Sequence, residues 1–223
     1  MLVRTLFRPR HVPVTEILVC CLLLIASLAD AATFSGRAFG ARVVLVNPQP
    51  NVLVFSDTGN LPTAGGSLSA SLVSISVGGT LSSGTVTAST SGSGSLATSS
   101  ARVQSVLAFP GQPAQLSADV VQADTRADCA GASGSSTIAG LVFAGNPVVV
   151  TGSPNQTITL GALATLVINE QITVAGAADI TVNALHLTLG TGESVIISSA
   201  HSDINCTVPT RQTTWGRVKS IYR

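Results

Sequence analysis

From about residue 32 onward, small or β-branched apolar residues alternate with Ser, Thr and Asn in short runs, and Gly, Pro, Asn or Asp closes each run. A period of two is the mark of a half-buried strand, so the pattern predicts antiparallel strands joined by turns. The first strands are expected over residues 37–46, stopped by Asn47-Pro-Gln-Pro50, and 51–55, stopped by Asp57-Thr-Gly-Asn60. A longer one is expected over residues 67–77, ended by Gly78-Gly79. Others are expected over residues 85–89, 101–109, 116–129, 136–143, 148–151, 156–160, 164–174, 179–189 and 194–206. Residues 89–100 are so rich in Ser, Gly and Thr that they read as a flexible loop. No segment reads as a helix, and no fixed repeat period is present.

The alternation slips by one residue inside several runs. Leu68, Ala70 and Leu72 give way to Val73, Ile75 and Val77; Leu116, Ala118 and Val120 to Val121, Ala123, Ala127 and Cys129; Ile180 and Val182 to Leu185, Leu187 and Leu189. Such a slip would move the apolar set to the other side of a sheet. A one-residue bulge would restore it. So would a strand that leaves one sheet for another. The expected fold class is therefore all-β, an antiparallel β-sandwich of jelly-roll-like or meander connectivity, with a β-barrel or a β-solenoid as alternatives.

The N-terminal segment changes the picture of where the fold is built. Arg4, Arg8 and Arg10 precede an apolar run, residues 17–28, and Ala29-Asp30-Ala31 has the A-x-A form of a cleavage site. This predicts a signal peptide over residues 1–31, a single exported domain over 32–206 and a basic C-terminal tail over 207–223. No later stretch approaches membrane-spanning length, so no span is expected in the mature chain, and secretion or residence in the periplasm or envelope is. Cys20 and Cys21 would leave with the signal. Cys129 and Cys206 would remain as a pair in an oxidising compartment, where a disulfide is expected.

Only 9% of residues are charged and the formal net charge is +1. No basic field is available for nucleic acid. No phosphate loop, cofactor motif or G-x-S-x-G elbow is present, so neither a cofactor nor a catalytic residue is assigned.

The blocks Ser35-Gly-Arg-Ala-Phe-Gly40, Gly66-Ser-Leu-Ser-Ala-Ser-Leu72 and Leu116-Ser-Ala-Asp-Val-Val-Gln-Ala123 occur in that order, followed by Thr165-Leu-Val-Ile-Asn-Glu-Gln171, Asn183-Ala-Leu-His-Leu187 and Ser198-Ser-Ala-His-Ser-Asp-Ile-Asn-Cys206. Their order over residues 34–206 resembles the bacterial choice-of-anchor P family. The resemblance implies an exported bacterial domain, found with differing C-terminal anchors, and no particular activity; residues 207–223 contain no apolar span, so free secretion or periplasmic residence is expected rather than surface attachment. Leu61-Pro-Thr-Ala-Gly65 looks like a sorting motif, but it lies mid-chain with no apolar span behind it.

Two places carry unusual chemistry. Glu170 shares its period-2 face with Leu166, Ile168, Ile172 and Val174, and a carboxylate there needs a partner. His186, between Leu185 and Leu187, is the expected one, with Arg126 and Arg102 also available; the reading is a buried polar network of Glu170, His186 and Arg126 rather than an acid–base pair. His201 and Asp203 share one strand face, half of a metal-ligand set without the other half, so no metal is assigned. The expected function is a non-catalytic structural or surface-interaction domain, its partner an envelope component or extracellular polymer. A carbohydrate- or surface-binding module is the alternative, disfavoured by Trp215 and Tyr222 being confined to the tail. A secreted hydrolase ranks last.

Overall fold

The computed structural model describes residues 32–46 and 51–206. The expected signal peptide, with Cys20 and Cys21, and the basic tail, with Trp215 and Tyr222, lie outside them. Among the described residues the fold is all-β. It consists of two antiparallel sheets packed face to face, without barrel closure, and so is a β-sandwich.

The first sheet is formed by β1 (Thr33–Leu45), β2 (Asn51–Asp57), β12 (Gln156–Leu160), β13 (Ala164–Thr173), β14 (Ala178–Leu189) and β15 (Ser194–Asn205), in the order β12-β13-β14-β15-β1-β2. The second contains β3 (Gly66–Leu72), β4 (Ile75–Val77), β5 (Leu81–Ser83), β6 (Val86–Ser93), β7 (Leu96–Ala108), β8 (Leu116–Asp128), β9 (Gly131–Ala139), β10 (Val142–Phe143) and β11 (Asn146–Pro147). Consecutive strands pair as hairpins in both sheets, which makes each a meander rather than a jelly roll; β1 and β2 join the first sheet beside β15.

The slips in alternation have one cause, and it is neither of those expected. In the first sheet four of the five ladders, all but β12–β13, omit one opposed pair while keeping their register, and the omitted residues line up as Ser56, Gly40, Ser198, Ala184 and Asn169. Ser56, Ser198 and Asn169 are left-handed, with φ of 52°, 55° and 53°. In the second sheet the same row runs through Ser74, Gly84, Ser105, Asp119 and Gly140, with φ of 52° at Ser105 and 64° at Gly140. One residue per strand thus turns the pleat over, in step with its neighbours. Nothing is inserted, and no strand changes sheets. On β8, side chains that looked as if they would swap faces reach the core on both sides of the crease: Leu116 and Ala118 before it, Val121 and Ala123 after it.

The crease divides the sandwich into two unlike halves. On one side large residues fill the interior, among them Phe109, Leu116, Leu166, Ile168, Leu187 and Ile197, all 2% exposed or less. On the other a patch of small residues faces across the interior: Ala38, Ala88 and Ala101 form a cluster of their own, next to Gly36 and Ala200. Cα atoms of β15 come within 8 Å of those of β7 and β8, closer than the ~10 Å usual for stacked sheets. A Cβ at Gly40 would sit 1.9 Å from Val86 Cγ1, and one at Gly36 2.4 Å from Thr90 Oγ1, so this spacing requires glycine at both. The far end is sealed by Phe34, Leu61 and Ile204, and beyond them by the Cys129–Cys206 disulfide, Cα–Cα 5.6 Å, which ties the end of β8 to the end of β15.

Residues 89–100 are not a flexible loop but the β6–β7 hairpin. Their hydroxyls are structural: Thr90 Oγ1 lies 2.7 Å from Ser99 Oγ, Ser99 donates to the His201 carbonyl at 2.6 Å, and Ser202 Oγ bridges Ser99 at 3.2 Å and Thr125 at 2.8 Å. Four buried hydroxyls from both sheets satisfy one another in a space too thin for leucine.

Candidate functional site

Glu170 does not face the core. Asn169 turns the pleat immediately before it, so Glu170 emerges on the outer face of the first sheet, opposite Asn183. Ile172 and Val174, expected to be buried, are 54% and 53% exposed for the same reason, and Gln171 is the residue turned inward, donating to the Gly134 carbonyl at 2.9 Å. His186 Nδ1 donates to Glu170 Oε2 at 2.9 Å, and Asn183 Nδ2 donates to the same oxygen at 2.6 Å. The bond with His186 holds the carboxyl below its ordinary range; partial burial opposes this and the Asn183 amide adds to it. Both side chains remain partly exposed, so the network is superficial.

Arg126 does not belong to it. It projects from the outer face of the second sheet, between Thr98 and Ser133, and pairs with Asp128 at 3.3 Å. The inward neighbours Thr125 and Ala127 fix that direction, and the thickness of the sandwich separates it from Glu170.

His186 Nε2 lies 3.4 Å from Thr188 Oγ1, so hydroxyl, imidazole and carboxylate stand in sequence. The arrangement follows from residues two apart on one strand face. Acyl transfer would also need N–H donors aimed at a developing oxyanion. β14 is an interior strand whose backbone pairs with β13 and β15 on its two sides everywhere but at Ala184, so the N–H groups of Leu185 to Thr188 lie within the ladders.

His201 and Asp203 lie on the outer face of the first sheet. Their cross-strand neighbours are Thr181 and Asp179. His201 Nδ1 is 3.1 Å from Thr181 Oγ1 and 3.5 Å from Asp179 Oδ1. Burial pushes the Asp203 carboxyl up and the Asp179 charge pushes the same way, with His201 opposing in part. These carboxylates border a cleft of about 460 Å³ that the disulfide closes on one side. Among the described residues no three His, Cys, Asp or Glu side chains are grouped to hold a metal ion. On β1, Arg37 forms a two-bond ion pair with Asp57, at 2.9 and 2.5 Å, and lies over the Phe39 ring at 5.8 Å. Asn183, Thr181, Asp179 and the Arg37–Asp57 pair carry no sequence motif; only the strand order brings them here.

A second polar surface lies on the other sheet. On the outer face of the second sheet the registers align Ser69, Ser89, Ser100, Asp124 and Ser135 in one row, and Ser67, Ser91, Thr98, Arg126 and Ser133 in the next. Ser100 donates to Asp124 at 2.7 Å, Gln122 to Asp124 at 2.8 Å and Arg102 to Gln122 at 3.0 Å. Because serine is short, shallow grooves open between the strands. Three of them, about 320, 380 and 360 Å³, meet at Ser89, Ser100 and Asp124 and form one track across the strands. Five strands at ~4.8 Å give the track a length of about 19 Å. The face has no aromatic residue, and Arg102 and Arg126 offset Asp124 and Asp128.

No family model, curated protein or solved structure matches the chain. Among the described residues no helix is long and apolar enough to cross a membrane.

Proposed function

We propose that the chain is an exported, non-catalytic interaction domain that holds a neutral, hydroxyl-rich polymer such as a polysaccharide. The observation that carries this reading is the hydroxyl and amide track on the outer face of the second sheet. Its balanced charge gives no attraction for a polyanion, and its only apolar side chains, Ala70 and Ala88, are too small to anchor lipid. The disulfide fits assembly in an oxidising compartment, and the resemblance to choice-of-anchor P domains fits surface or extracellular work. Without aromatic platforms each sugar contact is weak, so retention depends on many contacts along one polymer. The His186 constellation does not favour hydrolysis, since the backbone around His186 lies within the ladders of the sheet.

The test is co-sedimentation with insoluble cellulose, chitin and peptidoglycan, together with a glycan array. At least one neutral polysaccharide should retain the protein with little dependence on salt. Ser89→Glu, which places a charge where two grooves meet, should weaken retention tenfold or more. Failure to bind any neutral glycan, or retention untouched by Ser89→Glu, would overturn the proposal.

A further inference from the structure

A strand at the edge of a sheet presents unpaired N–H and C=O groups, and proteins usually guard such edges with charge, proline, kinks or covering side chains. Most edges here are guarded. β2 contains the left-handed Ser56 and ends on Asp57; β11 is two residues long and ends on Pro147; the Gly134 carbonyl of β9 is capped by Gln171. β12 is only five residues, and the side chain of its Gln156 is bound to the 149–151 segment. β3 differs. Gly66-Ser-Leu-Ser-Ala-Ser-Leu72 holds no charge, proline or left-handed non-glycine residue, and it pairs only with β6. Gly66, Ser67, Ser69, Ser71 and Leu72 are exposed, and among the described residues no side chain hydrogen-bonds to its free side.

We infer that β3 is a homophilic edge, and that two copies of the chain pair through it as antiparallel strands centred on Ser69. The sequence is self-complementary in that register. Ser67 falls opposite Ser71, Leu68 opposite Ala70 and Ser69 opposite itself, so hydroxyls meet hydroxyls and apolar residues meet apolar residues. Leu72 and Val73, the latter 85% exposed, fall opposite Gly66 and Gly65, whose lack of side chains leaves room for them. With no charge on either strand, nothing repels the second copy. The contact is isologous and closes on itself. The Gln171 cap on β9 blocks growth from the opposite edge of the same sheet, so the product is a dimer rather than a filament.

Sedimentation of the full-length secreted protein over a wide concentration range should show a monomer–dimer equilibrium. Ser69→Lys and Ser69→Asp should each be monomeric, because the two substituted residues face each other, and an equimolar mixture should recover the dimer. Ser69→Cys should crosslink into a disulfide dimer under mild oxidation, since directly opposed Cα atoms lie ~4.5–5.5 Å apart. Thermal melts of the monomeric variants near that of the parent establish that they are folded. A parent that stays monomeric throughout would overturn the inference and indicate that β3 is free or covered by another part of its own chain. A dimer indifferent to both charge substitutions would overturn it by locating the contact elsewhere.

Discussion

The Glu170 carboxylate accepts hydrogen bonds from His186 and Asn183, and its proton affinity falls as a result. A carboxyl whose pKa is lower in the folded than in the unfolded chain stabilises the fold above its unfolded pKa, and that contribution is lost as pH falls through the folded value. Stability should therefore decline on acidification below the ordinary carboxylate range. Glu170→Gln should cost about 1 kcal/mol at pH 7 and flatten that decline, as chemical denaturation at pH 7 and pH 3 would register. Glu170 and His186 were legible as partners because each interrupts an apolar run. Their place on the outer face was not, because a single residue, Asn169, decides it and Asn is compatible with either backbone geometry. Arg126 was misplaced for a related reason: charge suggests a partner, but only the sheet assignment says which face it occupies.

Among the elements, the thin half depends on what is missing from side chains as much as on what is present. Gly40→Ala should lower stability by about 2 kcal/mol, since its methyl would collide with Val86, and Val86→Ala in the same chain should recover most of the loss. A double-mutant cycle read by urea midpoint measures the coupling. Strand positions were legible wherever β-branched residues alternate, and residues 156–160 match β12 at both ends. The β6–β7 hairpin was not, because a Ser/Gly/Thr-rich stretch has the composition of a linker. Its order comes from the hydroxyl cluster of Thr90, Ser99, Thr125 and Ser202, which draws on both sheets and so has no trace in any one segment. The 148–151 segment, Val-Val-Val-Thr, has the composition of a strand without its alternation and joins no ladder; Gln156 holds it instead.

For the molecule as a whole, the disulfide joins residues 77 apart in sequence and closes the end sealed by Phe34, Leu61 and Ile204. Cys129→Ser should cost about 4 kcal/mol in the chain-entropy treatment, seen as a lower guanidinium midpoint. The compositional argument for one exported sandwich carried to the structure in its fold class and its cystine, since both depend on residue type. Sheet order, crease and hydroxyl track depend on which strands become neighbours, and that is set by long-range pairing.

The two transverse rows also limit how such a chain can change over generations. Each strand must reverse its pleat at the same latitude as its neighbours, so deleting one residue from β14 would set its reversal against the intact ones on β13 and β15. Length can vary freely at the hairpin tips, whereas between tip and crease every strand is counted out to the residue.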